Sequence, residues 1–157
     1  MTFRGRTQMV TLWLAPSVLI LSACSGAGVD KQSESDVNAV VQQHAEQIAT
    51  AVGMPLFNPK LSSGGCTDRA GESSDRIFTV QGVYNVNPPQ KDQHLASLAR
   101  IKAGWQAKSY RITDDRTVGP DDGLVAAETP DGYRLEVDRA IPDGLVVLIH
   151  SPCYAKP

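Results

Sequence analysis

Gly119-Pro120-Asp121-Asp122-Gly123 before Leu124-Val125-Ala126-Ala127, Pro130-Asp131-Gly132 before Tyr133-Arg134-Leu135-Glu136-Val137, and Pro142-Asp143-Gly144 before Leu145-Val146-Val147-Leu148-Ile149 repeat one statement three times. In each block Pro presets φ, Asp hydrogen-bonds its own backbone and Gly accepts a positive φ, so each is a turn with a mechanism. The turns recur about every ten residues, too close for crossover helices, and therefore predict an antiparallel meander. Tyr133, Leu135 and Val137 alternate with Arg134, Glu136 and Asp138, the pattern of a strand with one buried face. Leu145 to Ile149 is apolar on both faces, which places that strand centrally.

Working outward, Tyr110 and Ile112 alternate with Arg111 and Thr113 and add a half-buried strand before the meander. A helix is predicted upstream of it, capped by Asp92 or a neighbour and running to about Gly104, with Leu95, Leu98, Ala99, Ile101 and Trp105 toward one side. Ile77 to Tyr84 reads as a strand broken only by Gly82 and ended by Asn87-Pro88-Pro89. Met54 to Arg76, rich in Gly, Ser and Pro, reads as a long loop. Before it, Val37, Val40, Val41, Ala45, Ile48 and Val52 form an apolar stripe at helical spacing, with Ser35 as cap, Gly53 as stop and Pro55 just beyond. The expected fold is α+β, in the order α-β-α-β-β-β-β: an antiparallel sheet of four to five strands with both helices on one face.

The N-terminus has a different grammar. Arg4 and Arg6 precede a largely apolar run from Val10 to Leu21 that is too short for a comfortable membrane span. The segment ends in Leu21-Ser22-Ala23-Cys24, which resembles the bacterial lipobox, whose Cys receives a diacylglycerol before cleavage and becomes the first residue of the mature protein. Residues 1–23 are accordingly expected to be a lipoprotein signal peptide, 24–34 a flexible tether without apolar periodicity, and 35–157 one domain. Arg4 and Arg6 are not adjacent, so the general secretion route is expected rather than the twin-arginine one.

The whole chain carries 15 basic and 17 acidic side chains. Loss of residues 1–23 removes Arg4 and Arg6 and no acid, leaving 13 against 17 and a formal charge of −4. A mildly acidic domain of this kind is not expected to bind nucleic acid, and without a polybasic patch its membrane attachment must come from acylation. Of three cysteines, Cys24 is assigned to the lipid; Cys66 and Cys153, in an oxidising compartment, are expected to pair in a disulfide.

Catalytic signatures are missing: there is no Gly-x-Ser-x-Gly elbow, no Ser-x-x-Lys, no His-Glu-x-x-His and no phosphate-cradling glycine loop. His44, His94 and His150 are widely separated along the chain and do not have metal-ligand spacing. Asp114, Asp115, Asp121 and Asp122 surround one hairpin without the alternating order of an EF-hand. Trp105, Tyr154 and His150 remain as candidate ligand contacts. No catalytic residue, metal or cofactor is assigned, and no lipid-carrying cavity is expected from so small a domain.

Taken together, the lipobox, a helix followed by a Cys in a loop, a helix ending in Trp105, the Asp131-Gly132-Tyr133 strand and the terminal Ser151-Pro152-Cys153 resemble small actinobacterial lipoproteins. That resemblance implies a palmitate-bearing domain on the extracytoplasmic face of the cell membrane and transfers no catalytic residue. The expectation is a noncatalytic module binding an envelope protein or small ligand. The alternatives are a small envelope hydrolase using the histidines and hairpin aspartates, or an inhibitor or accessory subunit of an envelope enzyme.

Overall fold

The computed structural model describes residues 29–67, 73–88, 90, 93–140 and 144–157. The expected signal peptide 1–23, Cys24 and the tether up to residue 28, the Asp92 cap and the Pro142-Asp143 half of the third turn lie outside the described residues.

The first helix, α1, spans Glu34–Val52. Its cap is Ser33 rather than Ser35: the Ser33 hydroxyl accepts from the Asp36 backbone N–H at 3.1 Å and donates to the Asp36 carboxylate at 2.6 Å. Ser33-Glu34-Ser35-Asp36 thus works as a reciprocal cap, and Ser35 falls inside the first turn. At the other end Gly53, at φ 82°, donates its N–H to the Ala49 carbonyl at 2.8 Å, a left-handed stop. Just before the helix, Gln32 N–H donates to the Ala155 carbonyl and Ala155 N–H to the Asp30 carbonyl. Residues 30–34, inside the stretch expected to be tether, are therefore tied to the fold.

The predicted loop from Met54 to Arg76 is instead most of a hairpin. Strand β1 spans Leu56–Thr67 and β2 spans Ser73–Val86, paired antiparallel. β1 hides from pattern reading because it is an edge strand whose backbone pairs while its side chains do not pack: only Cys66 of its twelve residues is buried. Without a buried face there is no alternation to select for, so Ser and Gly are tolerated. Pro59, which cannot donate to a ladder, sits where the register shifts between Phe57 and Lys60, next to Asn58 at φ 50°.

Helix α2 spans His94–Ala107, three residues beyond the predicted end at Gly104. Gly104 lies on an exposed side while buried Trp105 holds the next turn, and Ser109 at φ 61° then releases the chain. The remaining strands are β3 (Arg111–Gly119), β4 (Asp122–Glu128), β5 (Arg134–Arg139), β6 (Leu145–His150) and the short β7 (Tyr154–Ala155). β3 to β6 are the expected meander, each antiparallel to the next.

The sheet has seven strands rather than four to five, in the order β1-β2-β6-β5-β4-β3, with β7 beside β2. β6 is central, as its doubly apolar sequence implied, because β2 pairs its other edge. α1 packs on β2 and β6, α2 on β4 and β3, and the helices touch each other. The core is the layer between them: Val41, Ile48 and Ile101 from the helices meet Val80, Val86, Leu135, Val137, Leu145, Val147 and Ile149.

Two side-chain devices shape the loops. Thr129 closes the Pro130-Asp131-Gly132 turn: its hydroxyl accepts from the Tyr133 N–H at 2.8 Å, and Gly132 takes φ 89°. Ser151, buried at the end of β6, exchanges bonds with Val80: the Ser151 N–H donates to the Val80 carbonyl, and the Val80 N–H donates to the Ser151 hydroxyl. That pairing carries the chain into Pro152-Cys153, where Cys153 forms the expected disulfide with Cys66.

Candidate ligand groove

Where α1 ends, Gly53 turns the chain through Met54-Pro55 into β1, which runs out past the rim of the helical layer. Because α1 lies mainly over β2 and β6 and only marginally against β1, all of β1 but Leu56 and Cys66 is left exposed. The result is a groove of about 830 Å³ between the solvent side of α1 and the start of β1. Its apolar surface comes from Ala49, Met54, Pro55, Leu56, Pro59 and Leu61. Met54 and Leu61 are 37% and 43% exposed, apolar surface that the fold itself does not bury.

The polar side of the groove is sparse. Glu46 carries the only charge among its described lining residues; its carboxylate accepts from the Gln42 amide at 3.0 Å. Tyr84, reaching in from β2, is 2% exposed, and its hydroxyl has no hydrogen-bond partner. Burial, helped by the Glu46 charge, pushes the Tyr84 phenol above its usual range, so it stays protonated.

The predicted site residues are scattered. Trp105 is 4% exposed and packs in the core between the helices. Tyr154 is half-buried beside the bridge; its ring lies 6.4 Å from Phe78, and its hydroxyl is 3.5 Å from that of Tyr133. His150 is exposed on the opposite face of the sheet, in register with Gln81 and Arg134.

The three histidines do not assemble. His94 accepts from the Gly144 N–H at 3.2 Å, just before β6 begins. His150 ends that strand, about 20 Å beyond Gly144 at strand rise, facing the other way. His44 is buried under α1 against the Tyr133 ring at 5.0 Å and the Tyr110 ring at 6.2 Å. Three of the hairpin aspartates are engaged: Asp115 with Lys102, Asp114 with Arg116 at 2.9 Å, and Asp122 with Arg139 at 3.9 Å. Among the described residues no group of three His, Cys, Asp or Glu is placed to hold a metal ion. Among the described residues no hydrogen bond joins these histidines to these aspartates.

His44 nonetheless has a measurable consequence. Neither ring nitrogen has a hydrogen-bond partner, and desolvation lowers its pKa from 6.5, with Asp131 opposing and Lys108 assisting. A depressed histidine pKa means that below pH 6.5 the unfolded chain binds a proton the folded chain refuses. Stability is then expected to fall as pH drops from 6.5 toward the folded value, with a limiting slope of about 1.4 kcal/mol per pH unit. Urea titrations between pH 7 and pH 5, compared with His44→Phe, should show the excess slope in the native sequence alone. Parallel curves would contradict the assignment.

The residues that make the groove were not singled out from sequence. The available signal was the presence of Met54, Leu56, Phe57 and Leu61 in a stretch otherwise composed like a loop. No family model, curated protein or solved structure matches the chain.

Proposed function

We propose that the chain is a lipid-anchored, noncatalytic binding module of the bacterial cell envelope that takes a small, mostly apolar ligand in the groove between α1 and β1. The observation that carries the binding half is the groove itself: uncovered Met54 and Leu61 beside a buried Tyr84 hydroxyl with no partner. Its volume lies in the range of about 300–1,000 Å³ usual for small-molecule sites. The anchoring half rests on Leu21-Ser22-Ala23-Cys24 after a basic start and an apolar run. No helix among the described residues is long and apolar enough to cross a membrane. In this reading the acyl chains on Cys24 hold the domain at the membrane, each buried methylene contributing roughly 0.8 kcal/mol.

The anchoring half is tested by Cys24→Ala. Cells fed labelled palmitate are expected to label the native chain and not the variant, and the variant is expected to lose its lipid attachment to the membrane fraction while its Cys66–Cys153 bridge still forms. Continued palmitate incorporation at full level would rule out Cys24 as the acylated residue.

A further inference from the structure

The groove's charge distribution narrows its ligand, given the reading above that it binds one. We propose that the groove selects small molecules with an apolar chain and a primary ammonium head, with Glu46 as the counter-charge. Two observations converge. Among the described residues Glu46 is the sole charged lining residue and is exposed, so a cationic head meets it without first breaking an ion pair; its side-chain bond there is to the neutral Gln42 amide. Beside it, Tyr84 lines the groove with a buried phenol whose hydroxyl has no hydrogen-bond partner among the described residues. A carboxylate beside an unpaired phenol oxygen favours a cation that donates hydrogen bonds. A fatty acid brings the wrong charge, because its carboxylate would lie against that of Glu46.

The chain of such a ligand lies on Met54 and Leu61, apolar surface otherwise in water, and on half-buried Leu56 between them. A peptide strand added to the free edge of β1 fits less well. The register shift between Phe57 and Lys60 interrupts the ladder beside the groove, and bulges of this kind blunt edge pairing.

Of the three methionines, Met54 alone lies outside the expected signal segment, so it is a built-in reporter. The full chain, carrying ¹³C-methyl methionine and held in phosphatidylcholine nanodiscs, is titrated with octylamine, octanol and octanoate while the Met54 resonance is followed. Octylamine is expected to bind about three- to five-fold more tightly than octanol, the range of a solvent-exposed ion pair, and octanoate more weakly than either. Glu46→Gln is expected to remove the preference and keep the binding, and Leu61→Asp to abolish all three titrations; both positions are exposed, so neither change threatens the fold. Equal affinities, or tightest binding of octanoate, would overturn the ammonium assignment and leave groove binding intact. Absence of any Met54 shift would overturn groove binding itself. Much tighter binding of a short lysine-bearing apolar peptide than of octylamine would overturn the small-molecule assignment.

Discussion

Cys66→Ser is expected to lower the unfolding free energy by about 4 kcal/mol, a large share of the roughly 5–15 kcal/mol that a domain of this size possesses. The bridge closes a span of 87 residues, from near the end of the edge strand β1 to the link between β6 and β7. In the chain-entropy account the stabilisation comes from the unfolded state, which loses more freedom the longer the loop. The native state adds a second reason. Beyond Gly65 the β1–β2 register shifts, and Cys66 is the only residue of β1 that is buried, so this end of the hairpin has little packing of its own. Urea unfolding of the native and variant chains measures the loss, which corresponds to about 15 °C in thermal midpoint for a domain of this length. Cys153, exposed in the fold, should at the same time become reactive toward a thiol reagent. A stability change below about 1 kcal/mol with an unreactive Cys153 would show that the bridge constrains neither state.

What was legible in the sequence follows from where side chains are buried. The meander could be read because Tyr133, Leu135 and Val137 alternate in burial and its turns have specific backbone requirements, of which Gly132 and Gly144 take positive φ. α1 could be read because one stripe from Val37 to Val52 is buried and the rest is solvated. β1 could not, since a strand held by backbone bonds at an edge leaves no apolar period. With β1 went the groove, because its outer wall is that strand. Residue type alone likewise does not say where a candidate contact sits: an aromatic such as Trp105, buried here, has the same letter in a core as at a surface. Sequence spacing likewise could not show that His94 serves Gly144 while His150 faces the opposite side of the sheet.

Gly82→Val is expected to destabilise the domain by about 3 kcal/mol, at the upper end of overpacking costs. Gly82 sits in the middle of β2, between Leu61 of β1 and Ile149 of β6, and it was the single break in an otherwise strand-like sequence. Glycine is ordinarily unfavourable in a strand by roughly 0.5–1 kcal/mol relative to alanine, so propensity alone predicts that Gly82→Ala stabilises. Packing predicts the opposite and is the larger effect. A Cβ at position 82 would lie 2.5 Å from Cγ1 of Val41 and 2.8 Å from Cε2 of Tyr84, and both of those residues are fully enclosed. Neither side chain can retreat, so α1 must lift from the sheet, and the inner wall of the groove lifts with it. Even Gly82→Ala is therefore expected to cost about 1–2 kcal/mol. The steric cause can be separated from a backbone one by a double-mutant cycle in urea. Val41→Ala costs stability alone by leaving a void, yet in the Gly82→Ala background it should restore part of what was lost, a coupling of about 1 kcal/mol or more. Additive losses would mean that the two positions do not collide, and that the close approach of α1 to β2 is not what the glycine provides.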